Sequence, residues 1–272
     1  MNRILFEQSE IVDGVATFGG ERAAHVLDVL HGEVGQVLKT GEIDGPIGTS
    51  VIASISCEKQ SAATEDNRRP STATGQSNSA RITVRCSHDG VSLRPWVDLI
   101  LAPPRPRAMK RLLPQLAALG VGKIVLVGAK KVEKDFWGAT LLKPENYRPL
   151  LIDGLMQAGT SILPTIELRR NFRKFIREEL DGLLPSRRRI VAHPYERRTP
   201  STMHQAPSTN HQSPSTKHQA PITLAIGPEG GWTDEEVALL EEHGFSRYSL
   251  GSRILRTDTA TIALLAQLMP QA

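Results

Sequence analysis

The 272-residue chain is 39% hydrophobic and 23% charged, a soluble globular composition with room for one large or two ordinary domains. It has no apolar run of about 18 residues to span a bilayer, and its start, MNRILFEQSEI, lacks a charged-then-apolar signal pattern, so a cytoplasmic enzyme or binding protein is expected. The net charge of +4 is uneven: Met1 to Pro95 holds 9 Lys+Arg against 12 Asp+Glu, the remainder 24 against 17, and this basic C-terminal portion is compatible with RNA or another anionic partner.

The first ninety or so residues read as short β segments, NRILF, ATF, QVLKT, SVIASIS and RITVR, with turns punctuated by Gly41, Gly45 and Gly48. Only ERAAHVLDVL looks helical, so a small β-barrel with one helix is expected over residues 1–92. Inside it, about residues 58–80, EKQSAATEDNRRPSTATGQSNSA has no apolar periodicity and reads as a disordered insertion. Cys57 and Cys86 fit neither a CxxC pair nor a zinc knuckle and read as ordinary thiols.

From Trp96 the pattern changes to α/β, giving a second domain over residues 93–272. WVDLILA is an apolar strand, PRAMKRLLPQLAALG an amphipathic helix ending at Gly120, and KIVLVG a second strand; together they make a βαβ unit and imply a parallel sheet. NYRPLLIDGLMQAG and RNFRKFIREELDGLL add helices, and RRIVAH adds a strand. A second disordered insertion follows at about residues 197–220, where PSTMHQ, PSTNHQ and PSTKHQ recur at a period of seven. One proline per repeat and almost no apolar side chain exclude a coiled coil. His204, His211 and His218 lack neighbouring carboxylates or cysteines, so no metal site is expected. TLAIG resumes the sheet, a helix runs to about Gly244, SRYSLG follows, and a last helix lies within DTATIALLAQLM.

The stretch Ile226-Gly227-Pro228-Glu229-Gly230-Gly231 joins strand to helix, and Thr233 with Glu236 forms a capping box just beyond it. Glycines there allow positive φ and close approach of a ligand. Glu229, Asp234, Glu235 and Glu236 would repel a polyphosphate, and no Gly-Lys-Ser/Thr follows. A neutral or cationic ligand bound by backbone groups suits the turn better. Further on, LGSRILRTDTATIALL sets Arg253 and Arg256 before Thr257 and Asp258 at a second sheet-to-helix junction, where open α/β sheets place their ligands.

"IGPEGGWTDEE" paired with "LGSRILRTDTA" closely resembles the signature of the RsmE-type methyltransferases of the SPOUT superfamily, which methylate N3 of a uridine in 16S ribosomal RNA. HVLDVLHGEVGQ resembles that family's PUA-like RNA-binding barrel, LAALGVGKIVLVGAKKVEK its first βαβ, and GLMQAGTSILP its glutamine-glycine helix end. The chain departs from relatives at His31, where arginine is common, at Ala158-Gly159-Thr160, where serine-glycine-arginine is common, and at Asp258, where glutamate is common.

The resemblance implies a trefoil-knotted, parallel-sheet SPOUT domain preceded by the barrel, S-adenosylmethionine as cofactor, and 16S rRNA or the small ribosomal subunit as partner. It also implies a homodimer. By the same resemblance the cofactor is enclosed by Leu126, Gly128, Ile226, Gly227, Pro228, Glu229, Gly230, Gly231, Leu250, Gly251, Ile254, Leu255 and Thr257. Arg256 is the candidate to stabilise a uracil anion, with Glu229 or Asp258 accepting a proton or positioning that arginine. Arg3, Arg22, His31, Arg105, Arg107, Lys110 and Arg111 are candidate RNA contacts. Two alternatives remain: a methyltransferase of the same superfamily acting on another RNA, and a non-catalytic RNA-binding ribosome-assembly factor.

Overall fold

The structure is a computed structural model describing residues 2–57, 80–194 and 221–270. The sequence readings of the two insertions, with the PSTxHQ repeats and their histidines, lie outside the described residues, except that Ala80 opens a strand. The chain divides into two compact units, one of Met1–Arg94, Leu113–Ala118 and Arg148–Leu163, the other of Pro95–Leu112, Leu119–Tyr147 and Pro164–Ala272.

The first unit is built on β1 (Ile4–Phe6), β2 (Ile11–Val12), β3 (Val15–Phe18), β4 (Val37–Glu42), β5 (Ile47–Cys57) and β6 (Ala80–Gly90). They form a curled sheet in the order β1-β4-β5-β6-β3-β2. Among the described residues its edge strands β1 and β2 are not paired with each other, so the expected small barrel takes the form of a curled half-barrel. Alternation along β3 and β6 sends one face inward, as a half-buried strand requires. Phe6, Phe18, Ile52, Ile82 and Val84 form the core there, with the Phe6 and Phe18 rings 5.5 Å apart. The predicted helix is short, α1 (Gly20–Ala24), and continues as a π-helical turn over His25–Val29. Beyond it His31 is exposed with φ of 50°. At Gly32 an added Cβ would lie 2.5 Å from the Val26 side chain, so the chain folds tightly under the helix there.

The second unit holds β7 (Val97–Leu101), β8 (Val121–Val127), β9 (Thr165–Arg169), β10 (Arg189–Ala192), β11 (Ile222–Ile226) and β12 (Phe245–Tyr248). Every pairing is parallel and the order is β12-β10-β11-β7-β8-β9. β7 is buried at every residue, which explains its largely apolar sequence; its one polar residue, Asp98, accepts the Lys123 N–H at 2.9 Å. β9 escapes the sequence reading because TIELR is a partly polar edge strand with no apolar run.

The remaining helices of the chain are α2 (Pro106–Ala118), whose Leu113–Ala118 part belongs to the first unit, α3 (Pro144–Ala158), which from Arg148 on also belongs to the first, and, in the second, α4 (Phe172–Lys174), α5 (Leu180–Leu183), α6 (Asp234–Glu242) and α7 (Thr257–Leu268). A π-helical stretch, Phe175–Glu179, joins α4 to α5. Val125, Val127, Phe172, Phe175, Val191, Trp232, Val237 and Leu240 pack together in the second unit's core. Gly120 and Gly159, past the ends of α2 and α3, have φ of 79° and 76°, the left-handed conformation that ends a helix at glycine.

Strand order fixes where a ligand can sit. β7, β8 and β9 step outward to one side, whereas β10 and β12 lie on the other, and β11 enters between β7 and β10. This reversal is a topological switch point, and the loops leaving the carboxyl ends of β10, β11 and β12 are neighbours.

Candidate active site

The turn after β11 is ordered by bonds the sequence encodes locally. Thr233 Oγ1 accepts the Glu236 N–H at 3.3 Å and Glu236 Oε2 accepts the Thr233 N–H at 2.8 Å, so the expected capping box is present. Glu236 is buried, and its other oxygen accepts the Lys130 N–H at 2.7 Å, tying the loop after β8 to the same helix start. Lys131 Nζ donates to Gly230 O at 2.7 Å. Gly231 has φ of 69°, which favours glycine, and at Gly227 an added Cβ would lie 3.0 Å from the Trp232 backbone nitrogen.

Three carboxyl-end loops enclose a cleft of about 300 Å³, the lower end of the size range of small-molecule sites. The turn from Ile226 to Trp232 forms one wall, Tyr248 to Gly251 with Arg253, Ile254 and Leu255 another, and Ala192 to Pro194 lies between them. Thr257, Ala260 and Leu264 of α7 close it. Thr257 Oγ1 lies 3.5 Å from Gly227 O, which links the second junction to the first. The lining is mostly apolar and backbone, with Arg253, Glu229, His193 and Tyr248 as its ionisable side chains among the described residues. Trp232 is 5% exposed, and its indole Nε1 is buried without a partner among the described residues. A donor left unpaired against a cleft costs free energy unless a ligand accepts from it.

The cleft brings together Ile226, Gly227, Pro228, Glu229, Gly230, Gly231, Leu250, Gly251, Ile254, Leu255 and Thr257. Leu126 and Gly128 are not among its lining residues. Leu126 is fully buried within β8, and an added Cβ at Gly128 would lie 2.0 Å from Arg170 O. Ala192, His193 and Pro194 line the cleft although the sequence reading passed over them. Their place follows from β10 lying between β11 and β12, which no local pattern announces.

Arg256 and Asp258 stand beside the cleft at the start of α7. Asp258 Oδ1 is 3.5 Å from Arg256 Nε and its Oδ2 is 3.3 Å from Arg111 Nη2, so one carboxylate holds two guanidinium groups. Asp258 is 17% exposed while Arg256 and Arg111 are 71% and 61% exposed, so the arginines reach outward from a sheltered anchor. Arg105, Arg107, Lys110 and Arg111 are all exposed, and Ala108 and Met109 between them are buried. The start of α2 therefore presents one basic face. Glu229 Oε1 accepts the Arg105 N–H at 3.1 Å.

Arg3 and Arg22, of the first unit, are arranged differently. Arg3 donates to the carbonyls of Gly159, Thr40 and Gly48, and burial lowers its pKa. Arg22 pairs with both carboxylate oxygens of Glu10, donates to Leu5 O, and lies 5.6 Å from the Phe6 and Phe18 ring centroids.

A parallel α/β sheet with a loop-built cleft at its switch point defines a small-molecule-binding α/β protein. The model of the RNA methyltransferase domain matches residues 92–269. Over 274 aligned residues the chain is 30% identical to ribosomal RNA small subunit methyltransferase E of Treponema pallidum, covering 100% of this chain and 92% of that one. The chain belongs to the RNA methyltransferase family. The fold is similar to that of a Legionella pneumophila protein solved with bound cofactor SAM (TM-score 0.66, 24% identity, 98% and 96% of the two chains). It is also similar to ribosomal RNA small subunit methyltransferase E of Neisseria gonorrhoeae bound to S-adenosyl methionine (TM-score 0.64, 19% identity, 98% and 96% covered).

Proposed function

We propose that the protein transfers the methyl group of S-adenosylmethionine to N3 of a uridine in 16S rRNA of the small ribosomal subunit. The observation that carries this reading is the convergence of the Gly227–Gly231 turn and the Leu250–Leu255 loop on one cleft whose lining, among the described residues, is mostly apolar side chains and backbone. The family supplies the reaction class, and the Treponema and Neisseria relatives, by name, act on ribosomal RNA of the small subunit.

The cleft suits this cofactor chemically. Its apolar walls fit a purine and a methionine chain, its backbone groups and the unpaired Trp232 indole N–H offer hydrogen bonds, and Glu229 favours a cation over a polyphosphate. Bound there, S-adenosylmethionine supplies an activated methyl group on a sulfonium. The protein's own part is alignment of the uracil N3 with that methyl and stabilisation of charge. Arg256 is the group we assign to the uracil oxygens, where it stabilises the anion left when N3 gives up its proton to water or to Asp258 beside it. Asp258 fixes Arg256 from the cleft's flank and fixes Arg111 beside it.

Arg105, Arg107, Lys110 and Arg111 form the phosphate-contacting face in this reading. By family likeness the protein works as a homodimer in the cytoplasm; among the described residues no helix is long and apolar enough to cross a membrane. Two measurements test the proposal. Calorimetry should show S-adenosylmethionine binding, and mass mapping of 16S rRNA from a deletion strain should show one uridine methyl lost and restored on complementation. Absence of cofactor binding at millimolar concentration favours the assembly-factor alternative, whereas restoration of a methyl in another RNA favours the other enzyme.

A further inference from the structure

We infer that Glu229 is a positioning residue: its carboxylate ties the cofactor-binding turn to the basic start of α2 through the Arg105 N–H, so that RNA held by that basic face and ligand held by the turn influence each other. The inference rests on the methyl-transfer reading for its functional consequence. The tie itself is geometric.

The segment Pro103-Pro104-Arg105-Pro106 contains three prolines, which have no N–H, so the Arg105 amide is the single backbone donor in four residues. Glu229 Oε1 accepts from it at 3.1 Å across a chain separation of 124 residues. Arg105 O accepts the N–H groups of Ala108 and Met109 at 2.8 and 3.0 Å, so Arg105 is the residue on which α2 starts. The carboxylate therefore stands at the helix N-terminus, where the macrodipole favours a negative charge. Arg107, Lys110 and Arg111 project from the exposed side of this first turn, and Arg105 itself reaches Glu133 at 3.4 Å.

On its other side Glu229 belongs to a turn with little freedom. Gly230 is held by Lys131, whose side chain covers it closely enough that an added Cβ would lie 2.9 Å from Lys131 Cδ. Gly227 is boxed by Trp232. A displacement of the α2 start thus moves the carboxylate, and with it the backbone that faces the ligand. A carboxylate committed to a backbone donor and a helix N-terminus is a strut. Its neutral isostere, glutamine, keeps the accepting oxygen in the same place, which separates this role from proton acceptance.

Glu229→Gln and Glu229→Ala, each checked for a wild-type melting profile, are compared on two readouts. The first is hydrogen exchange of the Arg105 amide in the free protein. Protection close to wild type in Glu229→Gln and at least about tenfold faster exchange in Glu229→Ala are expected as the hydrogen bond is lost. The second is the affinity for S-adenosylmethionine with and without undermethylated small ribosomal subunits. Coupling of about 5-fold or more is expected in the wild type, most of it retained by Gln and nearly abolished by Ala, with a reciprocal loss in RNA affinity.

Equal protection of Arg105 in Ala and wild type overturns the tie, and so does coupling that survives in Ala. A Gln variant as impaired in methyl transfer as Ala, with Arg105 still protected, overturns the positioning role in favour of proton acceptance. A wild type that binds no S-adenosylmethionine sinks the proposed reaction instead, and the exchange measurement still decides whether Glu229 holds Arg105.

Discussion

The arginines singled out from the sequence as functional candidates are put to opposite uses in the two units of this protein. In the first unit Arg3 and Arg22 are turned onto carbonyls, a carboxylate and two aromatic rings, and their donors are largely occupied by the chain itself. In the second, Arg105, Arg111 and Arg256 are 75%, 61% and 71% exposed, each anchored by at most a loose contact to one carboxylate. A guanidinium with five donors in a fixed fork can cement backbone or reach for an anion, and the surroundings decide which. The difference teaches that a basic residue on a nucleic-acid-binding protein is evidence of RNA contact only after its internal acceptors have been counted.

That contrast can be broken by substitution. The largest effect is expected for neither kind of arginine but at Gly128→Ala, where the new Cβ would lie 2.0 Å from the Arg170 carbonyl. Such overpacking against backbone should cost about 3 kcal/mol, seen as a lower denaturant midpoint, whereas Gly138→Ala, with nothing within 4 Å, should shift it by well under 1 kcal/mol. Arg256→Ala should lower single-turnover methyl transfer at least ~10²-fold, or about 2.7 kcal/mol of barrier, with an unchanged melting temperature. Near-normal turnover removes it from the chemistry. Arg3→Ala should do the reverse, losing about 2 kcal/mol of stability because three carbonyls lose a charged donor. A stable Arg3→Ala protein with weakened RNA binding would erase the contrast between the units.

Much of the site was legible because its determinants are local. The glycine turn, its capping box and the Arg256-Thr257-Asp258 junction each lie within a dozen residues, and β-type or helical periodicity located β7, β8, β10, β11, α2 and α7. The strand order of the half-barrel, the third wall at Ala192–Pro194 and the edge strand β9 were not legible. Each depends on strand order, which is set by long-range pairing such as that of β10 with both β11 and β12. The partner of Glu229 is likewise 124 residues away, and the motif that contains it says nothing of Arg105. Sequence could place Leu126 and Gly128 beside the turn by family likeness, but the burial of one and the tight approach of the other to Arg170 are tertiary facts.

The smallest effect tests by pH whether Arg22 is held by its charge or by its rings. Burial raises the Glu10 carboxyl, but its hydrogen bond to Arg22, the Glu7 N–H and the Arg22 charge together outweigh this and hold it below its ordinary value. A depressed folded-state value means that the unfolded chain binds the proton more readily, so ionised Glu10 contributes stability above the ordinary carboxylate range. That contribution is lost as pH falls through the folded value. Both partners are 28% exposed, so solvent screens the pair and the loss is modest. Arg22→Leu keeps an apolar stem near Phe6 and Phe18 and removes the charge. Its stability should therefore fall less steeply than wild type on acidification below about pH 5. Parallel acid limbs for wild type and Arg22→Leu would mean that the Glu10 pair contributes nothing measurable and that Arg22 acts on its rings alone.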